Sequence, residues 1–189
     1  MAFTFEKTSL EGVVIIKPQV FGDSRGYFME TYKKEMFAEA GIGGEFVQDN
    51  ESSSTKGVLR GLHFQKEHTQ GKLDRVTRGT VFDVAVDVRP GSATFGKWTG
   101  VVLSEENRQM FYVPEGFAHG FLVLSDEARF VYKCTDVYDP KSEGGIPWND
   151  PDIGVEWPAL DCEYKTSEKD SAHPGFREQD FGWAEKYVK

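Results

Sequence analysis

Between residues 80 and 89, apolar side chains recur at alternate positions: Phe82, Val84, Val86 and Val88 share one face, Asp83 and Asp87 the other. That period of two predicts a half-buried strand. Comparable runs occupy residues 12–17, 27–32, 58–65, 73–78, 97–104, 108–113, 120–124 and 129–137, separated by Gly, Pro, Asp or Ser. Evenly spaced short strands predict an all-β sandwich or barrel. Helical periodicity is confined to 33–40, closed by Gly41, and to the tail near 183–188. Parallel strands need helical crossovers, so this small supply argues against a doubly wound α/β sheet. From about residue 144 the chain turns irregular, with Pro147, Pro151, Pro158 and Pro174, and is expected to wrap the β core. Neither a repeat nor a low-complexity linker divides residues 1–189, so one domain is expected.

Composition removes several classes of function. With 39% hydrophobic and 14% aromatic residues the chain is too rich in apolar carbon to stay disordered. At this length folding buries roughly 70% of the unfolded surface, enough for a real core. Basic residues number 22 against 31 acidic, a net charge of −9, and no block of five or six Lys/Arg occurs. Neither nucleic acid nor an anionic membrane is therefore an expected partner. The start, MAFTFEKTSLEG, lacks the charged and apolar regions of a signal peptide, and nowhere do 18 apolar residues run together. A cytoplasmic location is expected. Cys134 and Cys162 form no CxxC pair, so neither a disulfide framework nor a structural zinc site is expected.

Candidate chemistry starts from four histidines, His63, His68, His119 and His173, the short list from which a base working near neutral pH is drawn. His63 sits in an apolar run, where an imidazole is either a hydrogen-bonded core residue or a functional one. Arg60 precedes it by three, so strict alternation sends the two to opposite faces, unless the intervening Gly61 marks a bulge that re-aims one of them. Tyr132 shares parity with Phe130 and Cys134 and should point inward. It is either a core aromatic or, in a cavity, a proton donor. Lys72 enters its strand just after Gly71; it faces solvent or supplies a fixed positive charge for an oxyanion. The segment 114–119 reads Pro-x-Gly-x-x-His, the second half of the cupin pattern. The first half offers one histidine and a glutamine, so His63 and His119 fall short of the three ligands of a catalytic metal, and none is expected.

Together these segments closely resemble the dTDP-4-dehydrorhamnose 3,5-epimerase family of nucleotide-sugar epimerases. The resemblance rests on FGDSRGYFME at 21–30, QDN at 48–50, VLRGLH at 58–63, QGKL at 70–73, VFDVAVD at 81–87, TFGKW at 94–98, PEGFAHGFLVL at 114–124 and Tyr132-Lys133. It implies a cupin-type jelly roll with a few short peripheral helices, N-terminal strands suited to pairing with a second subunit, and hence a homodimer. It also implies inversion at two carbons beside a keto group of a dTDP-sugar, with no external cofactor. His63 would be the base, held by Asp170 of SEKD at 167–170. Lys72 would stabilise the enolate, and Tyr132 would return the proton from the other side. Arg25, Arg60 and Lys169 would serve the diphosphate or sugar, and Phe28, Glu30, Gln48 and Asn50 would complete the clamp. Tyr138 would stack on the base, Glu143 falls at a binding position, and His119 would contact the sugar or support the residues that do. Phe64 and Asp74 depart from the pattern, the former standing where a tyrosine is common and the latter where an aliphatic residue is usual. Relatives that invert a single centre carry much the same residues, so a 3- or 5-epimerase, or a non-catalytic sugar-nucleotide-binding cupin, are the alternative readings.

Overall fold

The computed structural model describes residues 2–188. Its strands are β1 (Phe3–Lys7), β2 (Val14–Pro18), β3 (Val20–Asp23), β4 (Gly26–Met29), β5 (Gln48–Thr55), β6 (Leu59–Gln65) and β7 (Lys72–Arg78). They continue as β8 (Thr80–Asp87), β9 (Trp98–Ser104), β10 (Met110–Val113), β11 (Phe117–Val123), β12 (Glu127–Cys134) and β13 (Glu143–Gly145). One sheet has the order β1-β2-β10-β7-β12-β5, the other β13-β6-β11-β8-β9, and β3 and β4 form a separate hairpin. Neighbouring strands are antiparallel in both sheets, as a jelly roll requires. Two short helices, α1 (Lys34–Glu39) and α2 (Glu168–Ser171), and 3-10 turns at Phe176–Glu178 and Gly182–Tyr187 complete the structure. None of its helices is long and apolar enough to cross a membrane.

Three apolar clusters hold the layers. Val76, Phe111, Val113 and Phe130 of the first sheet meet Val81, Ala85, Leu103, Phe117 and Phe121 of the second in the sandwich interior. Outside the first sheet, Phe37 and Ile42 cover Ile16, Leu73 and Met110. Outside the second, Ile146, Ile153 and Phe181 of the C-terminal segment cover Leu62, Phe64, Val84, Val86 and Val88.

That third cluster corrects the expectation for residues 80–89. The apolar face is buried under the C-terminal segment, while Asp83 and Asp87 are themselves fully buried. Each aspartate has found a partner there: Asp83 meets His119, and Asp87 holds Arg89, Ser92 and Thr94. Burial raises the Asp87 pKa, but these hydrogen bonds outweigh it and hold the carboxyl below its usual range.

Sequence pattern also missed β1, β3, β5 and β13. The clearest case is β5, whose sequence QDNESSST has no apolar residue, yet all eight positions pair in register with β12, from Gln48 opposite Cys134 to Thr55 opposite Glu127. It closes the edge of its sheet through backbone bonds, which need no hydrophobic pattern. The segment near 183–188 forms a 3-10 turn in place of α-helix.

Candidate active site

A bulge makes the site. Across β6 and β11, His63 lies opposite His119 and Arg60 opposite Phe121, so three steps on β6 match two on β11. The extra residue defeats strict alternation and brings Arg60 and His63 to one cavity. Gly61 permits it: its φ is +120°, and a Cβ there would lie 2.6 Å from the Gly120 Cα.

The cavity measures about 190 Å³ and lies between the two sheets. Arg60, His63, His119 and Phe121 come from β6 and β11 on one wall, Ser52, Lys72, Phe130 and Tyr132 from β5, β7 and β12 on the other. His63 Nε2 lies 2.7 Å from Asp170 Oδ1, and the Gly61 N–H approaches Oδ2 at 3.4 Å. Asp170 is placed by α2, where its own N–H donates to the Ser167 Oγ cap. Burial raises the Asp170 pKa, but its bonds to His63 and the Gly61 N–H more than compensate and leave it lowered. With Nε2 engaged, His63 presents Nδ1 as its ring nitrogen without a partner among the described residues. Burial pushes the Tyr132 hydroxyl up to about 12, so it stays protonated at neutral pH.

His119 Nε2 sits 2.6 Å from Asp83 Oδ1 and 3.3 Å from Asp74 Oδ2, all three side chains buried. Asp74 shares the inward face with Lys72, as parity suggests. Burial, partly offset by His119, lifts Asp74 to about 7, and burial lowers His119 to about 4. Both Asp74 oxygens lack a geometrically acceptable hydrogen bond.

A second hollow of about 360 Å³ shares Arg60 and His63 with the first and adds Glu143, Lys165, Lys169 and Asp170. Glu143 binds the Lys169 ammonium and accepts a 2.7 Å bond from the Tyr138 hydroxyl. Burial alone would raise Glu143, but Lys169 and Tyr138 hold it below its usual range. The Gln48 amide joins Tyr138 to Asn50, accepting from the Tyr138 N–H and donating to the Asn50 side chain. Arg60 is held by Ser54 Oγ at 3.1 Å.

Six expected binding residues line neither hollow: Gln48, Asn50 and Tyr138, which hydrogen bonds link to Glu143, and three on or beside the β3–β4 hairpin. Arg25 pairs with Asp23 on the β3–β4 hairpin, Phe28 is 66% exposed on the same hairpin, and Glu30 follows it; none lines either hollow at His63. Sequence reasoning in turn passed over Ser52, Ser54 and Asp83 as site residues, and gave His173, one of its four histidines, no assignment. Alternation of Asn50, Ser52 and Ser54 was the available signal for the first two. His173 is half-buried with its ring edge-on to His63 at 5.9 Å, and burial lowers its pKa.

An imidazole braced by a carboxylate faces a phenol and an ammonium across a jelly-roll cavity, the equipment of a protein that moves protons on a bound carbon acid. The chain belongs to the dTDP-4-dehydrorhamnose 3,5-epimerase family, whose profile matches residues 7–178. It is 63% identical over 156 residues to the dTDP-4-dehydrorhamnose 3,5-epimerase of Methanothermobacter thermautotrophicus, covering 82% of this chain and 84% of that one. The structure of a dTDP-6-deoxy-D-glucose-3,5-epimerase from Legionella pneumophila, in complex with dTDP-4-keto-L-rhamnose, superimposes with a TM-score of 0.93 at 48% identity, covering 96% of each chain. A 3'-monoepimerase from Streptomyces bikiniensis in complex with dTDP-quinovose gives 0.85 at 36% identity, covering 90% of this chain and 86% of that one.

Proposed function

We propose that this protein inverts C3 and C5 of dTDP-4-dehydro-6-deoxy-D-glucose to give dTDP-4-dehydro-L-rhamnose, using its own side chains and no external cofactor. The observation that supports this most is the placement of His63 and Tyr132 on opposite walls of one cavity, with Lys72 beside the tyrosine's wall. A hydrogen next to a carbonyl is acidic because the carbanion is an enolate. His63 Nδ1 takes that proton, and the imidazolium is stabilised by Asp170. The electron pair moves onto the keto oxygen, where the Lys72 ammonium meets the negative charge. The Tyr132 hydroxyl then delivers a proton to the carbon from the other wall. Removal from one face and return to the other inverts the centre. Proton exchange with solvent restores the phenol and the neutral imidazole.

The larger hollow suits the nucleotide. Arg60 and Lys169 supply positive charge for a diphosphate on a net-acidic protein, and Glu143 lines the hollow with Tyr138, Gln48 and Asn50 joined to it by hydrogen bonds. His119 offers its ring to the sugar. The chain works as one domain in the cytoplasm and as a homodimer. Val20, Phe21, Tyr27 and Phe28 expose apolar surface on a hairpin that joins neither sheet, and a lone two-stranded hairpin is marginal in water. A second copy covers this surface and receives Arg25, Phe28 and Glu30 at its own site. The likeness to a 3'-monoepimerase carries the second reading, inversion of one centre only.

The test is NMR of the protein with dTDP-4-dehydro-6-deoxyglucose in deuterated water. Loss of hydrogen at both C3 and C5 that disappears in His63→Ala supports the double epimerase and its base. Exchange at one carbon selects the monoepimerase, and none at either rejects both.

A further inference from the structure

Asp170 lies between two imidazoles and bonds only one. His173 follows it by three residues, and its Nε2 lies 4.0 Å from the Asp170 Oδ1 that also faces His63. The His173 side chain is 10% exposed, and its Nε2 is buried without a hydrogen-bond partner. Buried polar atoms are seldom left so, and an orphan of this kind calls for a ligand. Gly145 packs against that same nitrogen, in space that a Cβ would fill.

We propose that His63 Nε2, Asp170 Oδ1 and His173 Nε2 form a site for a divalent transition-metal ion of the zinc type, and that its occupancy switches the enzyme off. The three donor atoms lie within 4.8 Å of one another. Two imidazoles and one carboxylate suit Zn²⁺ or Co²⁺ and not the oxygen-seeking Mg²⁺ or Ca²⁺. Three protein ligands leave the fourth tetrahedral position for water. With metal–ligand bonds of about 2.0–2.1 Å, tetrahedral donors sit roughly 3.3 Å apart. The 2.7 Å contact must therefore open and the 4.0 Å contact close. Asp170 lies on α2 and His173 directly follows its Ala172 C-cap, so a small shift of that turn moves both. The charged groups facing the site besides Asp170 are Glu143 and Lys169, which pair with each other, so one negative charge remains to receive the cation.

The inhibition, though not the binding, rests on His63 being the base. A neutral His63 that donates from Nε2 to Asp170 keeps the Nδ1 lone pair for the substrate. An ion at Nε2 takes that nitrogen's lone pair, so the single ring proton moves to Nδ1. The ring then has no site left for a substrate proton. Because the ion does not occupy the sugar cavity, turnover falls while KM holds.

The experiment titrates the metal-stripped full chain with ZnCl2 by calorimetry and follows turnover in parallel, with MgCl2 as the control. The expected result is one Zn²⁺ per chain, turnover lost along the same isotherm and restored by EDTA, and no effect of Mg²⁺. His173→Ala and the bulkier His173→Gln should bind Zn²⁺ about 100-fold more weakly, since loss of even an outer partner weakens a metal 10–100-fold. Both should retain metal-free turnover. No binding by the wild type, or binding unchanged in both variants, overturns the site; the latter would move the ion to Asp74, Asp83 and His119. Binding that needs His173 but leaves turnover intact overturns the switch. The His63→Ala exchange experiment judges the base separately, because it contains no metal.

Discussion

His63 and Asp170 are 107 residues apart in the chain and 2.7 Å apart in space. In the proposed mechanism this contact fixes which imidazole nitrogen faces the substrate and stabilises the cation that forms on proton uptake. Asp170→Asn retains the shape of the side chain and removes its charge. Turnover should fall by about 10²–10⁴, the usual worth of a positioned acid–base group. KM should change little. Steady-state kinetics check this, and a variant within threefold of wild-type turnover would show that the carboxylate is dispensable.

Tyr132→Phe separates the two proton transfers. The base still removes hydrogen and solvent returns it through His63 on the same face, so deuterium should enter C3 and C5 while inverted product falls by about 10²–10⁴. The ratio of exchange to inversion, read by NMR, distinguishes an acid from a packing residue, whose loss would slow both together.

Asp74 should act against stability. Its pKa rises from 3.8 to about 7 on folding, chiefly through burial. A folded chain that holds a proton the unfolded chain has released loses stability as pH rises across that interval. Asp74→Val removes a buried carboxyl with unbonded oxygens and should gain about 1–3 kcal/mol at pH 8. At pH 4 the gain should shrink, because the native carboxyl is then neutral. Burial lowers the His119 pKa and Asp74 offsets part of that, so removing Asp74 lowers His119 further and shrinks the gain at pH 4 in the same direction. Urea unfolding at the two pH values tests the difference, and an equal gain at both would assign it to packing alone.

The exposed hairpin makes an assembly prediction. Phe21→Ser combined with Phe28→Ser removes the largest apolar groups from it, and sedimentation velocity should show a dimer becoming a monomer. A wild-type protein that sediments as a monomer at micromolar concentration would dispose of the hairpin's proposed role.

Much of this architecture was legible where a strand pattern and a special residue coincide. Alternation located β6, β7, β8 and β12, and a lone glycine inside β6 marked the bulge that brings Arg60 and His63 together. Pattern failed where backbone pairing alone sustains a strand, as in β5. It also assigned Asp83 to solvent, because alternation separates two faces without saying that both are covered. Asp170 became a candidate only through the motif around it, since a tail carboxylate looks like any solvated acid until the chain's path is known. His173 carried no signal: its relation to Asp170 depends on one turn of helix docked against a distant strand.

The C-terminal segment reaches β6 by three attachments: β13 pairs with it at residues 143–145, Lys165 bridges to Val58 and exchanges backbone bonds with Gly57 and Leu59, and Asp170 meets His63. All of these follow the last barrel strand in the order of synthesis. A growing chain can therefore pair β1 to β12 and still lack Asp170 beside His63, so the proposed base is braced only when residues 143–173 dock and add β13 to its sheet. Activity then reports on that final docking, and a nick in the segment would disarm the base while leaving most of the barrel in place.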